Sequence, residues 1–190
     1  VRRTIGPDKT LMVDMNCTWD LDDVLNAKEF FVQNDIFMVE EPIRSDDTAG
    51  YIRLTKELGG IKVAGIESEQ GVSRFAELIK ADAMDVVQAS LGWAGGFTGC
   101  RNIASTAHAF NKLYTPHSFF SAVMTAANIQ FAASQVNIPF IEAEENENPL
   151  RTELLKEPIE TDEHMNYYIT DKPGLGIELD LDVIEKYIIK

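Results

Sequence analysis

The stretch Ile36-Phe-Met-Val39, closed by Glu40, is the clearest of six short apolar runs in this sequence of 190 residues. The other five runs cover residues 11–13, 61–64, 84–87, 112–115 and 138–141, so that one returns about every 25 residues. Short apolar runs bounded by polar residues are typical of buried strands. We therefore predict six strands at a regular spacing.

The segments between these runs have helical periodicity. Phe75, Leu78 and Ile79 recur at the spacing of one helix face, and residues 21–31 and 122–133 show a similar pattern. Strands that alternate with helices pair in parallel through right-handed crossovers. The predicted fold class is therefore α/β.

Two α/β architectures agree with this alternation. A closed TIM (β/α)8-type barrel has eight strands, so about six visible βα units over residues 1–145 predict a partial barrel. A six-stranded doubly wound sheet alternates in the same way, but it usually has a glycine-rich phosphate loop after its first strand. Asp14-Met-Asn16 stands at that place, which favours the barrel.

Residues 146–190 differ in character from the alternating part. They are polar and contain Pro149, Pro158 and Pro173, the last of which opens Pro-Gly-Leu-Gly176. We predict a carboxyl-terminal segment that leaves the barrel and returns toward a capping domain, packing on both. Because the sequence opens at Val1 in a charged stretch, we expect an amino-terminal capping domain and the first barrel strands to be absent from this chain.

The composition narrows the class of partner. The formal net charge is -14, from 17 basic and 31 acidic residues, so nucleic acids and anionic membranes would repel the chain. No apolar run approaches the roughly 18 residues that span a bilayer, and the two cysteines have neither disulfide-framework nor metal-finger spacing. We expect a cytoplasmic protein whose partner is a small molecule.

Polar residues stand at the carboxyl ends of the predicted strands, where the loops of a parallel barrel converge. They are Asp14, Glu40, Glu67, Ser90, His117 and Glu142. The first three, Asp14, Glu40 and Glu67, are acids separated by 26 and 27 residues, which places them at equivalent positions on successive predicted strands. Carboxylates so arranged repel one another unless a cation lies between them, and Mg²⁺ prefers such oxygen ligands. Acids after strands are also often solvated loop residues, but three in phase favour a metal site.

The motifs Val13-Asp-Met-Asn16, Val39-Glu-Glu-Pro42, Gly65-Ile-Glu67, Gly95-Gly96 and Pro116-His117, with the closing Pro-Gly-Leu-Gly176, resemble one known family. In their order and spacing they are similar to the mandelate racemase and acid-sugar dehydratase branch of the enolase superfamily, a group that includes the muconate lactonizing enzymes. The resemblance covers essentially the whole chain.

The resemblance implies roles for individual residues. Asp14, Glu40 and Glu67 would bind Mg²⁺, and Asn16 would orient substrate or water. His117 would be the general base or acid facing the α carbon of the substrate, and Glu142 would hydrogen-bond the enolate oxygen. The substrate would be a small carboxylate such as an acid sugar, and the protein would form a homo-oligomer.

Two features depart from the pattern of this family. Ser90 stands where an aspartate usually pairs with the histidine, and a hydroxyl can only orient the imidazole ring. The lysine motif that supplies the base on the opposite face of the substrate is not found in these residues, so the second base would lie outside this chain.

These departures favour a dehydratase among three alternatives. Racemisation needs two tuned bases, whereas elimination of water can use the histidine as the acid for the departing hydroxyl. The other two hypotheses are a racemase, epimerase or cycloisomerase on the same scaffold, and a non-catalytic metal-binding homologue.

Overall fold

Five of the six apolar runs form strands, which pair in parallel in the order of the sequence to give one sheet. The computed structural model describes residues 1–189. The strands are β1 (Leu11–Asp14), β2 (Ile36–Glu40), β3 (Lys62–Gly65), β4 (Val86–Val87) and β5 (Leu113–Tyr114). The α/β class and the parallel pairing are confirmed, and a sheet whose parallel strands neighbour one another in sequence order is consistent with part of a TIM barrel.

Nine helices occur in the described residues, and they follow the predicted alternation. They are α1 (Arg2–Ile5), α2 (Leu21–Asn26), α3 (Lys28–Gln33), α4 (Thr48–Glu57), α5 (Val72–Lys80), α6 (Gly96–Ala109), α7 (Ala122–Ala133), α8 (Pro149–Thr152) and α9 (Leu181–Tyr187). The periodic stretch over residues 21–31 is divided between α2 and α3, which meet at Ala27. None of these helices is long and apolar enough to cross a membrane.

The sheet buries apolar side chains on both faces. Val39 belongs to the larger cluster, in which Tyr51, Phe75 and Phe131 are among the fully buried side chains from the helices. Its neighbour Met38 points the other way and packs in a small cluster made only of strand residues and Phe140. Successive residues of a strand face opposite sides, so the helices cover one face and the side chains of the strands fill the other.

The sixth predicted strand does not form, and this part of the prediction was wrong. Residues 138–141 run beside β5, where Tyr114 N donates to Asn137 O at 2.9 Å and the Thr115 hydroxyl donates to Phe140 O at 3.0 Å. Pro139 lies in the middle of the run and has no N–H to donate to a ladder. The run therefore lies along the sheet edge without continuous pairing, and it still carries Glu142 to the same end as the other strands.

The carboxyl-terminal segment folds back on itself. Leu155 and Leu179 form an antiparallel bridge, flanked by hydrogen bonds from Lys156 N to Glu178 O and from Asp180 N to Leu154 O. Leu154 is buried, which anchors the start of the segment against the rest of the chain. The division at residue 145 and the contact of this segment with a capping domain stay predictions.

Candidate active site

The ends of the first two strands place two of the predicted metal ligands side by side. Asp14 is the register partner of Glu40 in the parallel pair of β1 and β2. Glu40 in turn lies opposite Ala64 of β3, and Glu67 follows three residues later. Because parallel strands present equivalent positions at the same edge, the three acids share one end of the sheet.

Residues in the left-handed conformation follow each of these strand ends. Asn16 has φ 47°, Glu41 has φ 38° and Ile66 has φ 63°. Gly65 has φ 136°, and a Cβ atom built on it would lie 2.9 Å from the Tyr51 hydroxyl oxygen and 3.1 Å from Glu41 N. Such backbone strain is maintained only where the surrounding structure fixes it, and it often occurs at functional sites.

Asn16 holds the carboxylate of Asp14. Its backbone N donates to Asp14 Oδ1 at 2.8 Å, and its side-chain Nδ2 donates to Asp14 Oδ2. Both oxygens of Asp14 therefore have donors from a single neighbouring residue. This contact orients Asp14, whereas a role of Asn16 in orienting substrate or water stays a prediction.

His117 lies between two carboxylates. Its Nδ1 atom is 2.7 Å from Glu67 Oε2 and 3.3 Å from Glu142 Oε2. The ring N–H points along neither contact, so these are ion-pair contacts rather than aligned hydrogen bonds. Burial by itself would lower the pKa of His117, but the contacts with Glu142 and Glu67 outweigh it and raise the pKa to about 10.

Glu142 is held at both oxygens. Gln88 Nε2 donates to Oε1 at 2.9 Å, and the backbone N of Ser118 donates to Oε2 at 2.7 Å. Gln88 is fully buried directly after β4. The sequence prediction did not count it among the site residues, although a polar residue directly after a buried strand was a signal for it.

Ser90 shapes the loop after β4. It is fully buried, and its hydroxyl oxygen accepts a hydrogen bond from Gly92 N at 3.1 Å. Within residues 1–189, no hydrogen bond or ion pair joins Ser90 to His117. The histidine takes its carboxylate contacts from Glu67 and Glu142 instead.

The carboxylates crowd around Glu40. Burial of its side chain is the main cause that raises the pKa of Glu40 to about 8, and the charges of Glu142, Asp14 and Glu67 add to it, while Gln88 acts in the opposite direction. Burial and the like charges of its neighbours both disfavour the ionised form of Glu40. The site therefore favours either proton uptake or the binding of a positive charge.

Comparison with known proteins identifies the family. The family model described as "Enolase C-terminal domain-like" matches residues 1–183. The chain belongs to this family. It is 30% identical to the arabinonate dehydratase of Saccharolobus solfataricus over 190 residues, which cover 100% of this chain and 50% of that protein.

Solved structures of the same superfamily have the same fold. The 3,6-anhydro-D-galactonate cycloisomerase from Zobellia galactanivorans superposes with a TM-score of 0.92 at 30% identity, over 100% of this chain and 53% of that one. A racemase from Streptomyces coelicolor with bound magnesium gives a TM-score of 0.86 at 26% identity, over 97% of this chain and 48% of that one. The chain thus spans about half the length of the relatives it matches.

The carboxylate oxygens at the strand ends suit a magnesium ion in their chemistry. Hard carboxylate oxygens are the ligands that Mg²⁺ prefers, and Asp14 and Glu40 lie in register with their charges already interacting. As the side chains stand, no three acidic, histidine or cysteine side chains within residues 1–189 converge on one metal position. Asp14 is turned to Asn16 and Glu67 to His117, so binding a cation requires them to turn toward one another.

Proposed function

We propose that the whole protein is a magnesium-dependent dehydratase of acid sugars. The reaction removes the proton α to the carboxylate and eliminates the β hydroxyl as water, giving a 2-keto-3-deoxy acid. The arabinonate dehydratase relative, 30% identical over the full length of this chain, supports the reaction class.

The observation that carries the proposal is the contact of His117 with Glu142, at 3.3 Å from Nδ1 to Oε2. It places two proton-accepting groups on one wall of the site, beside the acids at the ends of β1 and β2. In a syn elimination the hydrogen and the hydroxyl leave from the same face of the substrate, so proton-transfer groups are needed on that face only. A racemisation needs a second base on the opposite face.

Asp14, Glu40 and Glu67 would hold the cation. When bound there, Mg²⁺ supplies positive charge to the substrate carboxylate, whose oxygens become more negative as the α proton leaves. The remaining chemistry falls to residues of this chain.

His117 performs both proton transfers in this proposal. The contacts with Glu142 and Glu67 favour the imidazolium, so His117 would act as a base only once Glu67 has turned away from it toward the cation. As the imidazole, it then accepts the α proton while the C–H electron pair enters the substrate as an enolate. It then delivers a proton to the departing β hydroxyl, which leaves as water when the C–O bond breaks. His117 thus accepts one proton and donates one, and tautomerisation of the resulting enol gives the keto acid.

Glu142 has a more limited part. Both of its oxygens accept hydrogen bonds, from Gln88 and from Ser118. It therefore accepts from His117 or from a substrate hydroxyl, and it can donate to an enolate oxygen only after taking up a proton. Its contact with His117 orients the ring and favours the imidazolium that forms after α-proton removal.

A cycloisomerase is the second candidate. The structure with a TM-score of 0.92 and 30% identity is a cycloisomerase, and its similarity to this chain equals that of the dehydratase relative in identity. Cycloisomerisation uses the same enolate but loses no water. The two candidates differ in whether the reaction releases water.

The test is incubation of the intact polypeptide with Mg²⁺ and a panel of acid sugars, their lactones and their anhydro forms in deuterated water. A dehydratase converts an acid sugar into a 2-keto-3-deoxy acid with loss of water, and the variant His117→Gln yields no such product. Epimers with deuterium at the α carbon and no keto acid would establish a racemase. Isomers without loss of water would establish a cycloisomerase, and no reaction of any substrate would support the non-catalytic alternative.

A further inference from the structure

The site has four carboxylates but only three predicted metal ligands, and the fourth is held apart. Glu142 lies beside the predicted metal ligand Glu67, because Glu142 Oε2 is 3.3 Å and Glu67 Oε2 is 2.7 Å from the same His117 Nδ1 atom. An unrestrained carboxylate at this distance would compete for a bound cation. Another group of the protein must therefore hold the Glu142 carboxylate toward His117.

Gln88 meets this requirement by its position. Its side chain is fully buried between the strand ends, and its Nε2 donates to Glu142 Oε1 at 2.9 Å. Ser118 N holds the other oxygen at 2.7 Å, so that two donors at different oxygens fix the plane of the carboxylate. The backbone donor alone would leave the group free to swing about one contact.

The orientation of the Gln88 amide supports this role. Its Oε1 atom is buried and has no hydrogen-bond partner within the described residues. Leaving a buried acceptor unpaired costs free energy. The amide keeps this orientation because the reverse one would direct its oxygen at the Glu142 carboxylate, where two acceptors repel.

We propose that Gln88 is a positioning residue that keeps the Glu142 carboxylate beside His117 and out of the metal ligand set. This inference rests on the proposed metal site and assigns Gln88 no direct contact with substrate. Its consequence is that Glu142 affects metal affinity only through its charge, and not as a ligand, as long as Gln88 is present. Without Gln88, Glu142 becomes an additional metal ligand and leaves His117.

The experiment is a double-mutant cycle on the intact polypeptide, read by calorimetric titration with Mg²⁺. Gln88→Met keeps the length of the side chain and removes the amide, and Glu142→Gln removes the charge. In the parent, Glu142→Gln weakens Mg²⁺ binding only through the loss of a nearby negative charge, by up to about threefold. In the Gln88→Met background, the same change weakens Mg²⁺ binding by at least about tenfold, because Glu142 is by then a ligand.

A second measurement separates positioning from packing. On any substrate that the parent converts, Gln88→Met lowers kcat by about 10- to 100-fold with little change in KM, because the ground-state contacts remain. The matched control is Asn137→Leu, which removes a buried amide at the opposite end of the sheet, where it donates to Ala104 O and Lys112 O. It leaves both the Kd for Mg²⁺ and kcat unchanged. Gln88→Leu replaces Gln88→Met if the latter does not fold.

The outcomes distinguish this inference from the proposed reaction. If Glu142→Gln has the same effect on the Kd in both backgrounds, Gln88 does not set the ligands and the inference is wrong. If the cycle behaves as expected but no acid sugar is converted, the proposed reaction is wrong and the role of Gln88 stands. If the parent binds no Mg²⁺, the proposed metal site is wrong, and so are the role of Gln88 and the proposed reaction.

Discussion

The Nδ1 atom of His117 lies 2.7 Å from Oε2 of Glu67, which joins the predicted proton-transfer residue to the predicted metal ligand of the third strand. Each partner has less than a quarter of its side chain exposed, at 12% for His117 and 22% for Glu67. Metal binding by Glu67 would compete with this contact. The two functions assigned to the site are therefore coupled through one pair of side chains.

The first prediction concerns His117 itself. Replacing it with glutamine removes the group that we assign to proton transfer, and we expect kcat/KM to fall by at least about 10²- to 10⁴-fold. Binding of Mg²⁺ persists, because His117 is not one of the assigned ligands. The measurement is steady-state turnover of the intact polypeptide combined with Mg²⁺ titration.

His108 provides the matched control for this prediction. It is an exposed histidine in the last turn of α6, away from the strand ends. His108→Gln should leave both turnover and Mg²⁺ affinity at the parent level. Equal loss of activity in the two variants would contradict the role of His117.

The second prediction tests the tight turn after β3. Gly65→Ala places a Cβ atom 2.9 Å from the Tyr51 hydroxyl oxygen in a backbone conformation that favours glycine. Gly60→Ala is the matched control, since Gly60 also has a positive φ, of 101°, but nothing within 4 Å of a Cβ atom. We expect Gly65→Ala to lower the free energy of unfolding by about 1–3 kcal/mol more than Gly60→Ala does.

Denaturant unfolding of both variants measures this difference. Because a Cβ atom at position 65 would also lie 3.1 Å from Glu41 N, beside the predicted ligand Glu40, we expect Gly65→Ala, but not Gly60→Ala, to weaken Mg²⁺ binding as well. Equal stability of the two variants would show that the close approach at Gly65 relaxes without cost.

The third prediction concerns an ion-pair cluster at the amino ends of the strands. Lys112 has only 12% of its side chain exposed, and its Nζ atom contacts Asp82 and lies 3.6 Å from Asp85 Oδ1. Asp85 in turn accepts a hydrogen bond from Val63 N at 3.0 Å. Lys112→Met leaves these acids without their cation, and we expect a loss of about 1–2 kcal/mol in the free energy of unfolding.

The control for this cluster is an exposed ion pair. Lys186 pairs with Glu153 at 3.0 Å, with side chains 58% and 46% exposed. Lys186→Met should leave the free energy of unfolding at the parent level, because solvent screens such pairs. If the two variants lose the same stability, burial does not strengthen the Lys112 cluster.

The sequence predicted the frame of the site because strand periodicity is local. The spacing of 26 residues correctly placed Asp14 and Glu40 in register, since each βα unit adds a nearly constant length of chain. The spacing of 27 residues did not place Glu67 at the equivalent position, because the register partner of Glu40 is Ala64 and Glu67 lies three residues beyond it. The prediction of a sixth strand was wrong because it followed the apolar pattern of residues 138–141 and gave too little weight to Pro139. Proline has no N–H to donate to a ladder of hydrogen bonds.

The arrangement of side chains within the site could not be predicted from the sequence. His117 turns to Glu67 and Glu142, and Ser90 turns to Gly92, although the family resemblance implied that Ser90 stands beside the histidine. These directions depend on rotamers and on donors from distant segments, such as the Gln88 amide that reaches Glu142 across 54 residues of sequence. Only the assembled strand ends reveal them.

The most direct test of the account is calorimetric titration of Mg²⁺ into the intact polypeptide and into its variants Asp14→Ala, Glu40→Ala and Glu67→Ala. We expect the parent to bind Mg²⁺ and each variant to lose this binding, because the carboxylates of Asp14, Glu40 and Glu67 share one cation. A parent that binds no Mg²⁺, or a Glu40→Ala variant whose Kd equals that of the parent, would contradict it.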